Sequence, residues 1–142
     1  MSGSELGALT ALRRLRQVET DAARRDLGEA VTREIALSAR RDALAGDLEN
    51  ARQQSGDFDR EVFAAWFHRM LGERARLAGA IREAEALAAA ARETLARRRV
   101  AETAVEEALA AVIAARDAAI AHRDQLMLEE VARALKQASR PG

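Results

Sequence analysis

The first 140 residues contain no proline; the one proline is Pro141. Proline is the strongest helix breaker, because it lacks an amide donor and clashes with the preceding turn, so almost the whole chain is open to helix. The residues that fill it favour the same state. Alanine alone contributes 35 residues, and leucine, arginine and glutamate supply much of the rest. All four have high intrinsic helix propensity. Three β-branched residues never occur in succession, so neither propensity nor pattern supports a strand. Small alanine side chains bury little area each, which argues against a thick globular core and suits close packing of helices.

One cluster marks a convincing turn. Ser55-Gly56-Asp57-Phe58-Asp59 joins a flexible residue to two short acids just before Arg60-Glu61-Val62-Phe63. Asp57 or Asp59 can accept hydrogen bonds from the open amides of the next helix, where negative charge is also favourable. The sequence therefore predicts helices over 5–54 and 59–137, with a turn at 55–58, in a single elongated helical domain spanning 1–142.

The helical stripe of the first segment runs through Leu9, Leu12, Leu15, Ala22, Leu27, Ala30, Leu37, Leu44, Leu48 and Ala51. Its steps of three, four or five residues drift, unlike a strict heptad zipper. In the second segment the stripe passes from Phe63 through Leu77, Ile81, Ala84, Ala88 and Leu95, and on to Val105, Leu109, Val112, Ile113, Ile120, Leu126, Met127, Val131 and Leu135. At about 1.5 Å per residue these helices would measure roughly 75 and 120 Å, and neither can fold around itself. The expected fold is all-α, a long antiparallel two-helix coiled-coil hairpin with the end of the longer helix overhanging. Gly72 and Gly79 leave open a second turn, with 59–71 as a short helix at the tip. Gly28 and Gly46 read as local costs within a helix.

The chemistry-bearing residues are sparse. Without cysteine there is no disulfide framework, thiol catalysis or thiolate metal site. His68 and His122 lie too far apart in a hairpin to share a metal. The pairs Glu106-Glu107 and Glu129-Glu130 point in different directions around a helix, and Ser38 and Ser55 have no positioned base. No phosphate-binding glycine loop is present; the segment from Gly72 to Gly79 lacks the lysine and hydroxyl of one. The chain is expected to be non-enzymatic and to need no cofactor or metal.

The 23 basic and 23 acidic residues balance, so no general attraction to nucleic acid is implied. Arg97-Arg98-Arg99 fans around a helix among glutamates, reading first as a solvated face and second as a protein-binding patch. No apolar run is long enough for a bilayer span, and the first seven residues lack the features of a secretory signal. A cytoplasmic location is expected. The aromatic residues Phe58, Phe63, Trp66 and Phe67 all fall within ten positions, with Met70 close by. They could close the hairpin, anchor a partner, or do both in different states.

Several segments, in order, resemble the FliJ and YscO family of type III protein export. They are Leu12-Arg13-Arg14-Leu15-Arg16-Gln17-Val18-Glu19 and Ala23-Arg24-Arg25-Asp26-Leu27, then Leu95-Ala96-Arg97-Arg98-Arg99 and Ala104-Val105-Glu106, then Ala115-Arg116-Asp117 and Arg123-Asp124-Gln125-Leu126, and finally Leu128-Glu129-Glu130. The resemblance spans roughly residues 6–137. It implies a coiled-coil stalk similar to the gamma subunit of rotary ATPases, probing an export ATPase with its paired termini and an export gate component with its middle. On that analogy Leu9, Leu12, Arg13, Arg16, Arg123, Gln125 and Leu126 would face the ATPase, and Phe58, Phe63, Trp66, Phe67 and Met70 the gate. It also implies contact with export chaperones, peripheral association with the inner-membrane export apparatus, no specific nucleic acid, and a hairpin that is monomeric before assembly. The alternatives are a structural or scaffolding coiled coil unrelated to export, and a nucleic-acid-associated helical protein.

Overall fold

The computed structural model describes residues 2–54, Gly56 and 59–140. The protein is all-α: α1 spans Ser2–Gln53 and α2 spans Arg60–Ala138, joined as an antiparallel hairpin. Of the expected turn, Ser55, Asp57 and Phe58 lie outside the described residues. α2 continues unbroken through Gly72 and Gly79, so the second turn that those glycines left open does not form. Both sit in a helix whose flanking residues are strong formers, which outweigh a cost of about 1 kcal/mol each.

Asp59 sets the start of α2. Its Oδ1 accepts from the amides of Glu61 at 2.9 Å and Val62 at 3.4 Å, while its carbonyl accepts the first helical bond, from Phe63 at 2.9 Å. Asp59 is thus the N-cap rather than the first helical residue, and Glu61 adds an acid to the first turn where the helix dipole favours it.

The chain divides into two compact units, one formed by Glu19–Arg98 and the other by Met1–Val18 with Arg99–Gly142. Within Glu19–Arg98 the direction of pairing is fixed by named contacts. Thr20 donates to the carbonyl of Arg98 at 3.5 Å, and Arg98 pairs with Glu19. Further in, Arg40 meets Glu73 at 3.3 Å. Partners converge as α1 ascends and α2 descends, the signature of an antiparallel pair.

The buried seam is more regular than the apolar residues alone suggest. In this unit α1 turns inward at Thr20, Ala23, Leu27, Ala30, Glu34, Leu37, Arg41, Leu44, Leu48 and Ala51, a strict alternation of three- and four-residue steps. All but Arg41 are buried or half-buried. Thr20, Glu34 and Arg41 occupy seam positions, which is why counting only apolar residues gives a drifting stripe. Leu15, placed on that stripe by the sequence, is 51% exposed, because the strict alternation passes through Arg13 and Arg16 instead.

α2 meets this seam with Phe63, Phe67, Met70, Leu77, Ile81, Ala84, Ala88, Ala91 and Leu95, in the same alternation except for one seven-residue step from Met70 to Leu77 that passes over the exposed Arg74. Leu44, Leu48 and Leu77 form a core cluster. Ala84 and Ala88 are fully covered, so the alanine content is used where the helices approach with little side chain between them. Burying each of the leucines is worth about 1.5–3 kcal/mol.

In the other unit, Leu6, Leu9, Arg13 and Arg16 of α1 continue the alternation, as do Glu102, Val105, Leu109 and Val112 of α2; all are buried or half-buried. From Ile113 onward every described residue is exposed.

Candidate functional site

The aromatic cluster is built on the first turns of α2. Phe63 and Phe67, one helical turn apart, stack with ring centroids 5.8 Å apart and an interplanar angle of 25°. Phe63 and Trp66 lie 6.2 Å apart, tilted by 34°. Such offset and tilted geometries are favoured by the ring quadrupoles.

Trp66, Phe67 and Met70 pack on the Leu44–Leu48–Leu77 cluster, joined by Leu37, yet all remain half-buried. The second side of Trp66 is turned to a cavity of about 260 Å³ lined by Ala51, Val62, Phe63, Trp66 and Arg69. Val62 at its lip is 65% exposed. Of the candidate gate-facing residues, Phe63, Trp66, Phe67 and Met70 are therefore brought together; Phe58 lies outside the described residues. Hairpin packing and an accessible apolar surface coexist in one cluster, so the sequence alternatives are not exclusive.

Beside it, Glu73 joins the two helices. It accepts from Arg40 at 3.3 Å and from Arg76 on its own helix at 3.1 Å. Exposed pairs of this kind contribute roughly 0–1 kcal/mol, so they tune the register rather than hold the fold. All three arginines of the triplet are exposed; Arg98 pairs with Glu19 and Arg97 donates to the Thr94 hydroxyl at 3.3 Å.

The candidate ATPase-facing residues separate into two kinds, all within the unit that carries the termini. Leu9, Arg13 and Arg16 occupy the seam and Leu12 is half-buried beside it. The Nε atoms of Arg13 and Arg16 are buried, their aliphatic stems covering the seam while charge is kept near its edge. Arg123, Gln125 and Leu126 are instead fully on the exposed part of α2. Arg123 borders a groove of about 510 Å³ with Glu5, Val112, Arg116 and Ile120, and Gln125 donates to Glu129 at 3.4 Å.

Sequence reasoning missed two features. Val62 and Arg69 complete the cavity at the aromatic cluster, and only the placement of Ala51 opposite them reveals it. Ile113, Ile120 and Met127, which the sequence places on the seam stripe, are 36%, 45% and 58% exposed; each follows a seam position by one residue, a signal already present in the spacing.

Among the described residues, no group of three or more His, Asp or Glu side chains is placed to hold a metal, and no helix is long and apolar enough to cross a membrane. No family model, curated protein or solved structure matches the chain.

Proposed function

We propose that this hairpin is a non-enzymatic stalk or adaptor of a type III protein export apparatus, flagellar in kind, linking an export ATPase to an export gate component. The observation that carries the reading is the aromatic cluster: Trp66 is anchored on the hairpin core by one side and, with Phe63, lines an apolar cavity by the other. A large ring held rigidly at a half-open site suits partner recognition, since little conformational entropy remains to be lost on binding.

The resemblance to the export stalks supplies the identity of the partners. The gate component binds at the cavity formed by Val62, Phe63 and Trp66; the ATPase binds the unit that carries the termini, through Arg123, Gln125 and Leu126. The seam residues Leu9, Arg13 and Arg16 hold the helices together beneath that contact, with Leu12 beside them. Coupling requires no hydrolysis by this chain: contacts that differ between ATPase states bias the conformations of whatever the other unit binds. Escort of export chaperones and a place at the cytoplasmic side of the inner membrane belong to the same reading.

Titration of the full-length protein against the purified gate domain and against the ATPase tests this. Val62→Asp, at the exposed lip, is expected to weaken gate binding at least tenfold while ATPase binding and helicity stay unchanged. Equal gate affinity for a folded Val62→Asp variant would overturn the cavity as the recognition site. Absence of binding to either partner by the unaltered protein would overturn the export role.

A further inference from the structure

We infer that residues 113–131 of α2 form a self-association surface, and that its occupant is the same segment of a second copy, aligned in parallel and in register. The inference rests on this face alone and not on the export reading, whose ATPase contact uses the same segment and therefore competes with the dimer.

α2 changes the face it offers for burial at Ile113. Up to Val112 the apolar residues occupy the seam and the column one residue beyond it is charged, as at Glu85, Arg92, Arg99 and Glu106. After Val112 the following column changes from charged to apolar, as Ile113, Ile120 and Met127, while of the two seam columns one turns polar at Arg116, Arg123 and Glu130 and the other stays apolar at Ala119 and Leu126. These three recur every seven residues, the repeat of helices that wind around one another. They are exposed, as is Val131 at 55%, so α1 does not cover them.

The charges flanking this column say what does. Arg116-Asp117 and Arg123-Asp124 repeat at the same heptad interval. At 100° per residue each arginine falls roughly 50° to one side of the Ile113–Ile120–Met127 line and each aspartate roughly 50° to the other. The face thus has an arginine edge and an aspartate edge. When two copies meet in parallel, the arginine edge of one lies along the aspartate edge of the other, giving Arg116 to Asp117 and Arg123 to Asp124 on both sides. In any antiparallel register like edges meet, arginine on arginine and aspartate on aspartate, which is repulsive. Arg116 and Asp117 do approach each other within one chain, but at 3.8 Å and with side chains 48% and 64% exposed. That weak contact leaves both available to a partner.

The apolar layers at Ile113, Ile120 and Met127 therefore alternate with two cross-chain ion-pair layers, and beyond Met127 the edges carry Glu130 and Val131, which form no third ion pair. Pairing stops before Glu106, Arg99 and Arg92, because a parallel partner would set each of these against its own copy. A face of this length falls in the small class of interfaces, below about 1,200 Å², so the dimer is concentration-dependent. This departs from the monomeric state that the resemblance implies.

Sedimentation equilibrium over a wide concentration range, on the full-length protein alone, is the first test. The unaltered chain is expected to show a monomer–dimer equilibrium, and a monomer at the highest soluble concentration would overturn the proposal. Two variants test the edges: Asp117→Arg with Asp124→Arg, and Arg116→Asp with Arg123→Asp. Each alone should dissociate at least about tenfold more readily, and a mixture of the two should form a heterodimer; dimers of either variant as strong as the original would overturn the assignment. The chain has no native cysteine, so orientation is read directly. Met127→Cys should cross-link to itself on oxidation, whereas cross-linking only in mixtures of Ile113→Cys with Met127→Cys would reveal antiparallel pairing and contradict the charge argument. Circular dichroism confirms that each variant stays helical.

Discussion

Replacing Trp66 with alanine separates the two duties of the aromatic cluster. Removing a fully buried tryptophan costs about 3–5 kcal/mol. Trp66 is half-buried: one side of the ring rests on Leu44, Leu48 and Leu77, and the other faces the open cavity. Roughly half the full penalty, about 2 kcal/mol, is the expected loss, equivalent to a melting temperature lower by about 4–8 °C in a chain of this size. Two companion variants bracket it. Leu48→Ala empties a position only 7% exposed and should cost about 3 kcal/mol or more. Val62→Asp alters a residue that is 65% exposed and should stay within about 0.5 kcal/mol of the original. Urea unfolding followed by far-ultraviolet circular dichroism gives the order directly. A Trp66→Ala variant as stable as the unaltered protein would refute the packing of the ring on the core. One as unstable as Leu48→Ala would mean that the cavity side is closed, leaving no surface for a partner.

Other consequences follow from single positions. Gly28 and Gly46 lie inside α1 with no atom within 4 Å of an added Cβ, so alanine at either should raise stability by about 1 kcal/mol in a thermal melt. Asp59→Ala removes the side-chain acceptor for two amides and should cost about 1 kcal/mol, without altering affinity for partners of the terminal unit. A double-mutant cycle on Glu19 and Arg98, whose side chains are 21% and 45% exposed, should give a coupling of up to about 1 kcal/mol that declines with added salt.

The sequence carried the all-α hairpin because long proline-free segments on either side of one turn cluster leave few other ways to bury apolar surface. The expected helices, 5–54 and 59–137, differ from Ser2–Gln53 and Arg60–Ala138 by three residues or fewer at each end. Asp59 explains the start of α2, since a capping residue borders the helix without being part of it. The strict seam was hidden by its own polar members. Thr20, Glu34 and Arg41 keep the alternation while breaking any count of apolar residues. Exposure at the aromatic cluster was not legible either. Whether Trp66 is open or closed depends on Leu44, Leu48 and Ala51, brought to it from the other helix. The apolar column from Ile113 was present in the spacing, but it separates from the seam only when the strict alternation is known.

The packing of Trp66, the ion pairs of Glu73 and the polar seam positions all depend on one register of α1 against α2 within Glu19–Arg98. Spin labels introduced by cysteine at Arg24 and Glu93, both exposed, measure that register by pulsed dipolar spectroscopy in the otherwise cysteine-free chain. Thr20 lies against Arg98, and moving a turn inward along both helices brings Arg24 beside Glu93. With helix axes about 8–10 Å apart, the labels should lie within about 25 Å of each other. A separation approaching the roughly 100 Å that these positions would span along one continuous helix would contradict the hairpin.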